Sequence, residues 1–459
     1  MPEKWRRRET SAAEAGSRCR FEPPHYSKVA PVMMRRSFHF RLFGSASCAL
    51  LVVGLFGILL AAGCQKKQET KTSGEKVKIT YWNTMGTLES EALPSLVDGF
   101  MVKNPDIQVV LEKVPFYEAR SKFEQGIKVG VAPDVFRTDR FWLADFIRSG
   151  QVEELPLDAL KDELSDLIPF ARQVVTVNEK VWGLPQSVDC LCLLYNKAHF
   201  QEAGVTPPED YDSFRAAAGK LTDAGTGRYG FFLNPDAWWF EPFLFAFGGR
   251  YFSPNGTFDL TSDQTVKALQ FLLDLKETEK AVPPVSLRSN AYDLMMQSFQ
   301  NGQVSMILNG PWSIRPALAG SAFKDRSENL GVAQLPKGPQ GRFSPVGVQS
   351  LIIPKGCRNS AAALRFMKFL CSEGVESALS KTNFGIPARK SLFSDPELKN
   401  DPFLRPFIEQ MQTGDTSENR IQTSRLYVIV GEFLMKILNG DLAPRDGLKD
   451  LEAAWKAKP

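Results

Sequence analysis

Asp139 and Asp189 are the acids in this chain with most scope for chemistry. Set either side of a glycosidic bond they would form a hydrolytic pair; set in a cleft, each would accept hydrogen bonds from hydroxyl groups. Nothing in their flanking residues argues for an acid held protonated, so hydrolysis is a remote alternative. The thiols and imidazoles offer less. After Cys64 the only histidine is His199 and the cysteines are Cys190, Cys192, Cys357 and Cys371, too few and too scattered for a zinc cluster. Cys190 and Cys192 alternate within Asp-Cys-Leu-Cys-Leu-Leu-Tyr, so on a strand they share a face and read as small buried hydrophobes. A Cys357 to Cys371 bridge is open, because sequence does not set their separation. No Gly-x-x-x-x-Gly-Lys-Ser/Thr loop is present, so no nucleotide-driven step and no cofactor are expected.

Cys64 carries a different chemistry. It ends Leu60-Ala61-Ala62-Gly63-Cys64, behind an uncharged run that starts after Arg41 and a cationic Met33-Met34-Arg35-Arg36. Small residues before a cysteine in this setting resemble the lipobox of lipoprotein signal peptides, in which the thiol is acylated and becomes the new first residue. The run is also long enough to be a transmembrane helix. Gly44-Ser45-Ala46-Ser47 interrupts it, and small residues stand where a peptidase needs them, which favours the lipobox. Residues 1–63 are therefore read as leader, with 1–32 attributed to an over-called start, and the rest as extracytoplasmic and held to a bilayer through acylated Cys64. Ten of the 56 Lys/Arg but only four of the 52 Asp/Glu precede Cys64, so the remainder is near-neutral. That excludes a basic surface for nucleic acid.

The elements that must position these groups begin after a tether. Residues 64–76 lack apolar side chains beyond Cys64 and reach about 20 Å as random coil. From 77 onward, apolar strands and amphipathic helices alternate: strands over 77–82, 107–114 and 133–136, helices over 89–103, 117–129 and 141–149. Further helices are expected over 210–221, 265–279, 291–301, 360–372 and 426–438. This is the pattern of a parallel α/β protein, and a chain this long suits two lobes.

Several segments, taken in order, resemble the family of extracellular solute-binding proteins that serve ABC-type sugar importers, of which maltose-binding proteins are members. They are Ala132-Pro133-Asp134-Val135-Phe136 with Asp139-Arg140-Phe141; Gly183-Leu184-Pro185 leading to Leu194-Tyr195-Asn196-Lys197; Phe299-Gln300-Asn301-Gly302-Gln303; Asn309-Gly310-Pro311-Trp312; Val346-Gly347-Val348; and Phe384-Gly385-Ile386-Pro387-Ala388-Arg389. The resemblance covers about 77 to 455. It implies an α/β, two-lobed periplasmic-binding-protein-like fold of type II, with three interlobe crossovers near 187–191, 345–351 and 385–390, and the ligand in the cleft between lobes. The first lobe would comprise 77–187 plus 351–386, the second 191–345 plus 391–459. It further implies a non-enzymatic monomer that captures a mono- or oligosaccharide by hinge closure and hands it to permease subunits in the membrane.

A sugar presents C–H faces that aromatic rings cover and hydroxyls that charged groups bind. The resemblance places Trp312 as a stacking ring, Trp238 and Trp239 on a loop carrying another, and Tyr427 on a late helix. It places Asp139, Arg140 and Asp189 as hydroxyl partners; Trp82, at the end of the first strand, is a candidate for the cleft floor or rim or else a core residue, and Gly347 allows close backbone approach at the second crossing or else serves only the hinge. No basic residue stands around Gly86-Thr87-Leu88, where maltose-binding proteins carry a lysine. A glycerol phosphate or a polyamine in the same fold is the alternative ligand.

Overall fold

In the computed structural model, the described residues are 76–414, without 254 and 289, and 423–457. Cys64 and the leader and tether up to 75 lie outside them. Twelve strands are described: β1 (Val77–Asn83), β2 (Ile107–Lys113), β3 (Val135–Asp139), β4 (Thr176–Val177), β5 (Lys180–Val181), β6 (Leu184–Cys190), β7 (Cys192–Asn196), β8 (Tyr229–Phe232), β9 (Val304–Asn309), β10 (Leu330–Ala333), β11 (Val346–Ile352) and β12 (Ile386–Pro387).

They form two main sheets and a small β4–β5 hairpin. The first sheet runs β12-β6-β11-β3-β1-β2, the second β10-β7-β9-β8. Parallel pairing holds for β2-β1-β3, as the alternation of strands and helices predicts, and for β8 with β9. The strands nearest the passages between sheets pair antiparallel: β11 with β3 and β6, β12 with β6, and β7 with β9 and β10. The sheets are therefore mixed, because a chain returning from the other lobe enters beside its neighbour from the opposite end.

The helices that matter follow local rules. Asp139 ends β3 and caps Arg140–Arg148, its Oδ1 accepting from Phe141 N at 2.8 Å. Gly130, at φ 72°, closes Phe116–Val129 in the left-handed conformation that glycine adopts without a Cβ clash. The helix expected from 89 begins at Leu93, with Pro94 in its first turn. Glu89 is thereby left in the preceding loop, its Oε2 accepting from Gly86 N at 2.9 Å. Phe100, Phe123, Phe136, Phe146 and Phe366 fill the first lobe; Phe214, Phe231, Phe243 and Tyr211 fill the second.

The first passage lies at the end of 187–191, and the second precedes the expected 345–351, which falls on strand β11 itself. Only Leu191 separates β6 of one sheet from β7 of the other, and the return from β10 to β11 spans 334–345. The third comes later than 385–390. Residues 391–403 still pack on the first lobe: Leu392 and Leu398 are buried in its core, Phe384 and Phe403 meet edge to face, and Ser391 N donates to Asp166 at 3.0 Å. The boundary of the second lobe therefore lies beyond 391, because the apolar spacing after Arg389 serves the first core. Cys190, Cys192, Cys357 and Cys371 are all free thiols. Cys357 donates to Asp134 and Cys371 to Leu184 O, so the latter pair has separate partners rather than a bridge.

Candidate functional site

The floor of the space between the sheets is built by the crossing strands. Asp189 is opposite Gly347 in the β6–β11 register, and a Cβ added to Gly347 would lie 2.0 Å from Asp189 Oδ1. Glycine is required there because the carboxylate lies across its backbone. A small cavity, open to solvent, is lined by Glu89, Arg137, Ser187, Asp189, Trp312 and Asn383 among others. Asp189 is 8% exposed. Burial, and then repulsion from Asp139, push its carboxyl pKa up to about 7, against the pull of Arg137.

Arg137 holds the floor together. Its guanidinium donates to Gln186 at 3.1 Å, Thr84 at 3.1 Å, Gln349 at 3.4 Å, Ser187 at 3.4 Å and Glu89 at 3.5 Å. Gln349 in turn donates to Asp139 Oδ2 at 3.3 Å. Asp139 thus touches the floor network, but its oxygens serve a helix cap and a glutamine. Burial raises its pKa, opposed by the Phe141 N–H and by Arg140.

Aromatic rings make the walls. Trp312 follows β9 on a tight turn, its Nε1 donating to Tyr292 OH at 3.0 Å. Its ring crosses Gly310, where any Cβ would approach within 2.0 Å. The half-buried indole is therefore fixed from two sides. Trp239 donates to Leu308 O at 2.7 Å and lies 5.7 Å from the Tyr292 ring, so it supports that wall from behind. Trp238 reaches the other lobe: its ring meets Phe141 at 6.0 Å and 81°. Tyr427 also meets Phe141, at 4.7 Å, while its hydroxyl donates to Glu241.

Asp189 and Trp312 thus share one cavity, Gly347 lies behind Asp189 as its strand partner, Asp139 connects to the floor through Gln349, and Trp238 and Tyr427 converge on Phe141. Two expected residues belong elsewhere. Trp82 is 5% exposed and packs between Phe136 (6.4 Å) and the helix Phe116–Val129, with Lys122 over its ring at 4.2 Å. It is a core residue, because its position on β1 turns it toward that helix. Arg140 is 2% exposed, with its guanidinium 4.2 Å from the Phe141 ring and 5.3 Å from that of Phe170. It lies beneath the wall rather than in the cavity; its Nε and Nη1 have no hydrogen-bond partner among the described residues.

Glu89, Phe141 and Tyr292 escape the sequence reading. Phe141 stands inside a quoted motif, and a ring directly after a cap is a usable signal; Glu89 and Tyr292 are placed only by tertiary structure. No group of three or more His, Cys, Asp or Glu suited to a metal occurs among the described residues, and no helix there is long and apolar enough to cross a membrane.

Comparison with known proteins agrees with this architecture. The maltotriose-binding protein of Pyrococcus abyssi is 27% identical over 342 residues, 73% of this chain and 72% of its own. The GacH receptor of Streptomyces glaucescens, solved unliganded and with acarbose, superposes with a TM-score of 0.78 at 29% identity, covering 84% of this chain and 98% of that one. Maltose-bound MalE3 of T. maritima gives 0.74 at 26%, covering 83% and 99%. The model of the family described as bacterial extracellular solute-binding protein matches residues 86–376. With two lobes, three passages between them and a cavity at their junction, the chain belongs to that family.

Proposed function

We propose that the protein is the extracytoplasmic receptor of an ABC importer and captures a saccharide between its lobes. The observation that carries this reading is the pairing in one cavity of a fixed indole face, Trp312, with a buried carboxylate, Asp189. An indole covers the C–H face of a sugar ring, and a charged acceptor binds a hydroxyl with roughly 1.5 to 3 kcal/mol. The relatives named for maltotriose, acarbose and maltose support the same class. A phosphate-bearing solute fits less well: among the described residues Arg137 is the one cation lining the cavity, and its N–H groups already have five protein partners. Hydrolysis fits less well too, since Asp139 and Asp189 lie on one sheet and Asp139 is committed to its cap.

Closure would come from ligand contacts made by both lobes, which favour the closed form by their differential affinity. The closed form would be what the permease subunits recognise, with acylated Cys64 keeping the receptor at the membrane surface. A thermal-shift screen across a carbohydrate library tests the reading, since a ligand that binds only the folded protein raises its melting temperature. Trp312→Ala should abolish the shift for each hit and leave the unliganded melting temperature within a few degrees. A retained shift removes Trp312 from the site.

A further inference from the structure

One edge of the first sheet is apolar and basic together. Strands β1, β2 and β3 run parallel, so they begin at the same edge: Val77 is paired with Ile107, and Val77 N donates to Asp106 O at 2.8 Å. The helices between these strands return to that edge, one ending at Lys103 and the other at Val129. Val102 is 81% exposed, Val129 72%, Val131 65% and Val77 39%, which makes four of the eight exposed large apolar side chains among the described residues. Single exposed apolar residues are ordinary, whereas a group of them with a polar rim marks a contact surface.

The rim here is cationic. Lys76, Lys78, Lys103 and Lys128 are exposed on the same elements. Lys355 joins them from the loop after β11, which ends at this edge because it runs antiparallel to β3. Asn359 of that loop donates to Lys78 O at 3.1 Å, so the loop is held beside β1. None of these five lysines is in an ion pair among the described residues, whereas the acids of the edge have partners. Asp106 pairs with Arg365 at 2.5 Å, and Asp134 accepts from Thr80 N at 2.8 Å and from Asn359 at 3.2 Å.

The chain itself brings this edge to a membrane. The tether over 64–76, about 20 Å as random coil, enters the fold at Val77, so an acyl group on Cys64 holds this edge nearest the lipid. We propose that the edge, with Lys78, Lys103, Lys128 and Lys355 around Val102 and Val129, is a docking surface for an anionic lipid bilayer. The proposal rests on the acylated-receptor reading above and adds an orientation to it. Glu89, which lines the cavity, follows the opposite end of β1, so docking turns the cleft away from the bilayer and toward incoming solute. Because the chain after the leader is near-neutral as a whole, the attraction must come from this local group of charges. Each lysine near an anionic surface strengthens binding roughly fivefold.

The experiment is cosedimentation of the chain from residue 65 onward with vesicles of phosphatidylcholine alone or mixed with phosphatidylglycerol. This chain holds both sheets and both cores but no acyl group. Wild type should bind the anionic vesicles at least tenfold more tightly than the neutral ones at low salt, and lose the preference near 1 M salt, where screening acts within about 3 Å. Lys78→Glu, Lys103→Glu and Lys128→Glu together should remove the preference without lowering the melting temperature. The same reversal at Lys267, Lys324 and Lys337, exposed on the second lobe, should leave it in place. Absence of vesicle binding, equal binding to the two lipids, or equal losses from the two triple variants overturns the docking surface. Fractionation of cells carrying the full chain reads the anchor separately: an acylated, membrane-bound full chain whose body ignores vesicles keeps the receptor reading and sinks only the surface, whereas a full chain without an acyl group overturns the reading on which the surface rests.

Discussion

Removing the charge of Asp189 should reshape the pH dependence of stability. With its pKa moved up to about 7 from an ordinary 3.8, the native protein keeps a proton that the unfolded chain loses near pH 4. Below about pH 4 both states are protonated and the shift costs nothing. Between pH 4 and pH 7 the unfolded state binds fewer protons, so stability falls as pH rises. Above pH 7 the full penalty applies: about three pKa units at 1.36 kcal/mol each, or about 4 kcal/mol. Asp139 and Glu89 add to the penalty by repulsion and Arg137 opposes it. Asp189→Asn keeps the volume and removes the ionisation. In melting curves of the unliganded body from pH 4.5 to 8.5, the variant should match wild type at the acid end. At the alkaline end it should melt higher, by roughly 5 °C for a chain of this size. A bound hydroxyl donating to the ionised carboxylate would favour the charged form, so wild type should release a proton on binding near pH 6 and Asp189→Asn should not. Parallel melting curves for the two proteins would refute the reasoning, because they would mean that Asp189 is ionised at no unusual cost.

Gly347→Ala should cost 1–3 kcal/mol of stability through overpacking and weaken binding at least tenfold, since the new Cβ displaces Asp189; unchanged calorimetric affinity would show that the carboxylate is not used. Trp82→Ala should lower stability by about 3–5 kcal/mol without changing affinity, as chemical denaturation and titration in parallel would reveal. Cys64→Ser should move the protein from the membrane to the soluble fraction of cells, and mass spectrometry should find no acyl group on it.

What the sequence made legible tracks how local the cause is. The strands expected over 77–82 and 107–114, rich in Val and Ile, are fixed by neighbours along the chain and are found within a residue of where the sequence predicts them. Trp312 was named through the resemblance of its Asn-Gly-Pro-Trp turn, and its ring lies across Gly310, which has no Cβ to exclude it. Trp82 and Arg140 misled because proximity to a strand end does not state which face a side chain takes, and one residue of register inverts the answer. Glu89 and Tyr292 reach the cleft from a loop and a helix face with no patterning of their own. The segment 391–403 carries apolar spacing that either lobe could bury, so its allegiance is decided by contacts with Asp166 and Phe384.

The passages between lobes are also joined to one another. Leu191 N, at the first, donates to Ser344 Oγ at 2.8 Å, at the second. Leu335 N, on the way to the second, donates to Gln410 Oε1 at 2.8 Å, on the helix Leu404–Met411 that follows 391–403, and Cys190 Sγ donates to Phe407 O of the same helix. A rotation of one lobe against the other must therefore bend three strapped segments together rather than one at a time. Asp189 on β6 lines the cavity, and its β11 partner Gly347 and the neighbouring Gln349, bonded to Arg137, back it from the second of these passages. Under the proposed function, a solute that orders Asp189 would act on the straps directly, so binding and hinge position would be coupled at the same residues. This is why a change as small as one methyl group at Gly347 should register in both affinity and closure, whereas Trp82, buried on the far side of the sheet, should register in stability alone.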